Sequence, residues 1–118
     1  MVRKLEQGDI IYVDFNPQSG HEQKGTRPAL VISNNDFNYL SNLVLAAPIT
    51  HTNRNNIFHV EIKNCKKIDG YIMCDQIKMI DPIARKAKFV EKLDDDTLRL
   101  TTSIIRTIIS PQKWSEYI

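Results

Sequence analysis

Over the first two thirds of the chain, apolar residues fall in short runs cut by turn residues, and near Asp94 the spacing changes. Gly8-Asp9 opens the run Ile10-Ile11-Tyr12-Val13-Asp14-Phe15, in which Ile11, Val13 and Phe15 alternate onto one face, as in a strand. Asn16-Pro17-Gln18-Ser19-Gly20 breaks it with turn residues, and the loop continues to Thr26. Pro28-Ala29-Leu30-Val31-Ile32 is short and continuously apolar, the mark of a strand buried on both faces. Asn34 to Asn38 breaks the pattern again, with room for one helical turn. Leu43 to Thr50 is a third strand. Pro48 has no amide to donate, which predicts an edge or a bend there. After a polar loop from His51 to Asn56, Phe58, Val60 and Ile62 alternate with His59, Glu61 and Lys63. This is a half-buried strand with His59 turned to solvent. Gly70 to Ile80 holds one or two more strands, and Lys88 to Glu91 a short last one.

The period then becomes helical. Asp94-Asp95-Asp96 reads as an N-cap followed by an acidic first turn, which suits the positive end of a helix. Leu98, Ile105, Ile108 and Ile109 fall near one face of a helix running to about Ser110. Thr101, Thr102 and Thr107 lower its intrinsic propensity, so packing must hold it. Short strands closed by a helix predict a mainly β fold with a C-terminal helix, built as a small curled antiparallel sheet or barrel.

Composition narrows the class. A length of 118 residues predicts a single domain over residues 1–118 with one real core. The formal net charge of +2 is only a weak pull on an anionic partner. What matters is whether Lys24, Arg27, Lys78, Arg85, Lys86 and Lys88 cluster. Two cysteines, Cys65 and Cys74, are too few for a disulfide framework and suit a reducing compartment. The first residues have no apolar leader, and the longest apolar run, Leu43 to Ile49, is far below the roughly 20 residues of a membrane helix. The expectation is a soluble, cytoplasmic protein without a membrane partner.

Several chemistries find no support. His21, His51, His59, Cys65 and Cys74 lack zinc-like spacing, and neither a phosphate-cradling glycine loop nor a dinucleotide fingerprint is present. Cys74 reads as a small core residue. Trp114 and Tyr117, beyond the helix, are expected to cover the core or an interface, with base stacking a third choice.

Four blocks then carry a resemblance. Gly8 to Phe15 is similar to the opening strand of the MazF/PemK toxins of bacterial toxin–antitoxin pairs. Gly20-His21-Glu22-Gln23-Lys24-Gly25-Thr26-Arg27-Pro28 matches that family's G-x-E-Q-x-G-x-R-P signature. Ala47-Pro48-Ile49-Thr50 resembles its P-x-T strand end, and Asp69-Gly70 followed by Cys74-Asp75-Gln76-Ile77-Lys78 its D-G…D-Q stretch. The resemblance covers about residues 7 to 110. It implies an SH3-like small barrel and a homodimer. It also implies cleavage of single-stranded RNA without metal or other cofactor, and an acidic, MazE/PemI-like antitoxin that blocks the active site. One position departs: where some PemK-type relatives carry arginine two residues before the aspartate, this chain has Met73. Arg27 then carries more of the charge stabilisation, or Lys78 shares it.

The chemistry fits those residues. RNA is cut when its own 2′-hydroxyl attacks the neighbouring phosphorus, leaving a 2′,3′-cyclic phosphate and a 5′-hydroxyl. A base, an acid and donors to the anionic phosphorane each lower the barrier. The guanidinium of Arg27 can give two parallel hydrogen bonds to phosphate oxygens and holds its proton too tightly to act as a base. Pro28 stiffens the chain beside it. Thr50 offers a short hydroxyl at a strand end. The resemblance carries the family's catalytic arginine and threonine onto Arg27 and Thr50. Glu22 and His21 are the proton-transfer candidates, with Glu22 alternatively orienting Arg27. Gln23, Thr26, Asp75, Gln76 and Lys78 are candidate RNA contacts. A second function class stays open at this stage: a non-catalytic, CcdB-like toxin of the same fold that binds and poisons DNA gyrase. The G-x-E-Q-x-G-x-R-P loop together with Thr50 favours the nuclease.

Overall fold

The computed structural model describes residues 4–15 and 26–111. In chain order these form β1 (Asp9–Asp14), β2 (Thr26–Val31), α1 (Asn35–Ser41), β3 (Val44–Thr50), β4 (His59–Ile62), β5 (Gly70–Met73), a 3-10 turn (Cys74–Gln76), β6 (Lys78–Ile80), β7 (Lys88–Lys92) and α2 (Asp95–Ile109). All strand pairs are antiparallel, in the order β4-β5-β3-β2-β1-β7, with β6 alongside the first half of β3. The path ends at β4 and β7, so the sheet is barrel-like without closing. It is nonetheless curled: the Lys78 ammonium of β6 lies 5.3 Å from the centre of the Phe15 ring at the end of β1, although β3 and β2 lie between those strands. A flat sheet at about 4.8 Å per strand would hold the two side chains apart.

The central strands bury both faces, as the unbroken apolar run of β2 predicts. Ile10, Leu30, Ala47, Ile49, Val60, Ile62 and Ile72 enter the larger core, while Ile11, Val13, Ala29, Val31, Val44, Ala46 and Ile80 form a smaller one on the other face. The larger core is roofed by α2, through Leu98, Ile104 and Ile105. Its core-facing stripe is half-buried Leu98 with buried Thr101 and Ile105, and it fades at Ile109, which is 69% exposed. Thr101 is compatible with burial because its hydroxyl donates to the Thr97 carbonyl at 2.8 Å. The expected N-cap is observed: the Asp94 carboxylate accepts from the Thr97 amide at 3.0 Å and from the Thr97 hydroxyl at 2.9 Å. Those bonds, the backbone one foremost, hold the Asp94 carboxyl below its usual pKa.

Two features differ from expectation. The break after Ile32 holds a full helix of 7 residues, α1, capped by the Asn34 side chain on the Phe37 amide at 2.9 Å and ended by Asn42 in a left-handed conformation. The second concerns Pro48, expected at an edge or a bend: it pairs with Ala29 in an interior strand but has no strand partner on its other side. It sits where β3 changes its other neighbour, from β6 up to Ala46 to β5 from Ile49 onward. No described helix is long and apolar enough to cross a membrane.

Candidate active site

The site is built from the register of β2 on β3. Val31, Leu30 and Ala29 oppose Ala46, Ala47 and Pro48, where the pairing ends; Arg27 and Thr50 each lie two residues beyond the last pair and so share its face. Directly opposed side chains in an antiparallel pair share a face, with Cβ atoms about 5 Å apart. Arg27 and Thr50 therefore both lie on the face of the smaller core, at its rim, where Arg27 is exposed and Thr50 half-buried. On the other edge of β3, Thr50 pairs with Tyr71. Gly70, just before it, has φ of +118°, and a Cβ there would meet the Thr50 carbonyl oxygen at 2.5 Å. The glycine of the Asp69-Gly70 pair thus lets β5 press against the backbone of Thr50 and fix it. The Thr50 Oγ1 accepts from the Thr52 amide at 3.2 Å, which leaves its own proton free to be donated outward.

Lys78 opposes Ala46, so its side chain starts from the same face, and its ammonium rests against Phe15, whose ring packs on the smaller core. Such a cation–π contact anchors the amine while leaving charge available. Arg27 and Lys78 are thus two cations on one concave face. Thr26 alternates to the other face of β2, away from Arg27. Glu22, His21 and Gln23 lie outside the described residues.

Asp75 lies further along the same sheet face, over His59 of β4. One carboxylate oxygen lies 3.1 Å from His59 Nε2, and the other accepts from Asn56 Nδ2 at 3.4 Å. His59 was expected in solvent, yet its side chain is only 5% exposed, because the 3-10 turn brings Asp75 across it. The alternation in β4 correctly put His59 on the face of Glu61, but nothing local showed that the turn would cover it. Asp75 itself is 32% exposed and Gln76 is exposed. Met73 opposes His59 on this face. Cys74 is buried behind the turn. Burial, then the Asp75 charge, pushes its thiol up to about 11, which keeps it protonated and unreactive. Among the described residues no group of three or more His, Cys, Asp or Glu side chains could hold a metal ion.

The fold is thus an open-ended, curled antiparallel β-sheet under one helix, with an arginine and a threonine on one face at its rim. Residues 6–109 match the family described as PemK-like, MazF-like toxin of type II toxin–antitoxin system, and the chain belongs to that family. It is 42% identical over 106 residues to the endoribonuclease toxin ChpB of Escherichia coli K12, covering 83% of this chain and 90% of that protein. It is 34% identical over 104 residues to the endoribonuclease toxin MazF of the same strain, covering 88% and 93%. Among solved structures, the MazE-MazF crystal structure (Form-II) from Deinococcus radiodurans superposes with a TM-score of 0.85 at 26% identity, over 94% of this chain and all of that one. The gyrase-poisoning alternative finds no support in these relatives, which are named as endoribonucleases.

Proposed function

We propose that the protein is a cytoplasmic, sequence-specific endoribonuclease toxin that cuts single-stranded RNA without a metal, by attack of the 2′-hydroxyl on the adjacent phosphorus. Arg27 holds the non-bridging oxygens as they gain charge, Thr50 donates a hydrogen bond to the same phosphate, and Lys78 raises the positive potential of the face. Glu22 and His21 are the proton-transfer pair, and Gln23, Thr26, Asp75 and Gln76 contact the RNA. Single strands are required because in-line attack needs a splayed backbone that a duplex forbids.

The observation that supports this reading is the β2–β3 register, from which Arg27 and Thr50 share one face of the sheet just past the last pair. Neither group is fixed by accident: Arg27 precedes the buried half of β2, and Gly70 presses β5 onto Thr50. Family membership and the endoribonuclease relatives agree with it. The working unit is a homodimer. Its natural inhibitor is an acidic, partly disordered antitoxin that folds as it binds, competing with RNA for the cationic face.

The test is incubation of purified protein with a mixed-sequence RNA in EDTA. Cleavage to 2′,3′-cyclic phosphate ends is expected, and a single 2′-deoxy substitution at a cut site should abolish cutting there. Continued cutting at the deoxy position, or cutting that needs added metal, would refute the mechanism.

A further inference from the structure

We propose that Tyr71 is a base-stacking residue of the cleavage site, its ring covering the nucleobase next to the phosphate held by Arg27 and Thr50. The inference rests on the nuclease reading above and adds to it the position of the base.

Tyr71 pairs with Thr50 on one side and with Glu61 on the other. Paired side chains share a face, so Thr50, Tyr71 and Glu61 form one row across three strands, with Arg27 on the same face of neighbouring β2. The row lies opposite to Ile49, Ile72 and Val60, which enter the larger core. Tyr71 is therefore a half-buried aromatic outside that core, one strand from the reacting phosphate. Its location relative to Thr50 is firm, because the neighbouring Gly70 lies against the Thr50 carbonyl.

The charge along the row sets which part of the RNA lies where. Arg27 at one end attracts phosphate, and the exposed carboxylate of Glu61 at the other repels it. The backbone is drawn to the Arg27 side, so the group left over Tyr71 is an uncharged base. In-line attack also demands such a surface. Aligning the 2′-oxygen, phosphorus and 5′-oxygen pulls the flanking bases out of their mutual stack, and an aromatic ring restores the lost contact. The spacing of about 5 Å from Thr50 to Tyr71 suits a base whose own sugar carries that phosphate.

The experiment compares wild type, Tyr71→Phe, Tyr71→Leu and Arg27→Ala on a randomised-sequence RNA pool in EDTA, and then on an RNA of the cut sequence that pool returns. Tyr71→Phe should stay within about two-fold of wild type in kcat/KM, and Tyr71→Leu should lose about 10-fold with an unchanged unfolding midpoint. On RNAs made abasic at either side of the cut, wild type should lose a similar factor at one of the two positions, and Tyr71→Leu should not lose it again. Wild-type rates in Tyr71→Leu, or an abasic penalty equal in both proteins, would overturn the stacking role. If Tyr71→Leu does not fold, the abasic series on wild type and Tyr71→Phe still decides: no penalty at either position overturns the proposal. Loss of cleavage in Arg27→Ala beside a normal Tyr71→Leu sinks the stacking alone. Normal cleavage in Arg27→Ala sinks the nuclease assignment beneath it.

Discussion

The two faces of β3 serve opposite ends. Leu45, Ala47 and Ile49 pack toward the larger core, under the roof of α2. Ala46, Pro48 and Thr50 run along the other face from the smaller core to an open rim. One set is excluded from water and only packs; the other ends in groups that water and a substrate can reach. The catalytic role proposed for the Thr50 hydroxyl needs a rigid mount, and the alternate residues of the same strand supply one. The comparison teaches that stability and chemistry are divided residue by residue along a single element, so substitutions on the two faces should separate them.

The largest effect should come from the closed face. Ile72 is fully buried against Ile49 and Val60, so Ile72→Ala should lower stability by about 2–5 kcal/mol in urea unfolding. The rate per folded molecule should change little, and an equal loss in both would break the division. On the open face, Arg27→Ala should keep the unfolding midpoint and lose about 10²-fold or more in single-turnover cleavage. A destabilised Arg27→Ala would mean that this guanidinium is structural.

Smaller effects sharpen the closed side. The Glu91 carboxylate accepts the backbone amides of Lys66, Lys67 and Ile68 at 3.0, 2.8 and 2.8 Å, tying the loop before β5 to β7. Burial pushes its pKa up, but the three amides together outweigh this and leave it below the ordinary 4.5. A depressed carboxyl stabilises the fold fully above its unfolded pKa and loses that contribution as pH falls through the folded value. Glu91→Gln should therefore cost about 1–2 kcal/mol at neutral pH. The gap to wild type should close in acid unfolding series below about pH 4; a gap that persists there would show that the contribution is not ionic. Smallest of all, Asp94→Ala removes the α2 cap and should cost about 1 kcal/mol by thermal or urea unfolding, with cleavage unchanged.

Much of this was legible along the chain. The alternation in Ile11, Val13 and Phe15, the apolar run of β2 and the acidic start of α2 each report the burial of one element, a property local sequence encodes directly. The family itself was legible because the blocks around Arg27 and Thr50 resemble it. The exchange of neighbours along β3 at Pro48 was not legible, since strand pairing is settled by distant segments. Nor was the burial of His59, which depends on a turn 15 residues later in sequence that brings Asp75 over it.

Sequence by itself determined the kinds of element, their order and the residue types available for phosphate chemistry, because periodicity and side-chain functional groups are carried locally. Only the tertiary structure decided that Arg27 and Thr50 share one face of the sheet, that Lys78 meets Phe15 across its curl, and that Tyr71 pairs with Thr50. Those relations come from strand register and curvature, which arise when segments far apart in the chain compete to bury the same apolar surface.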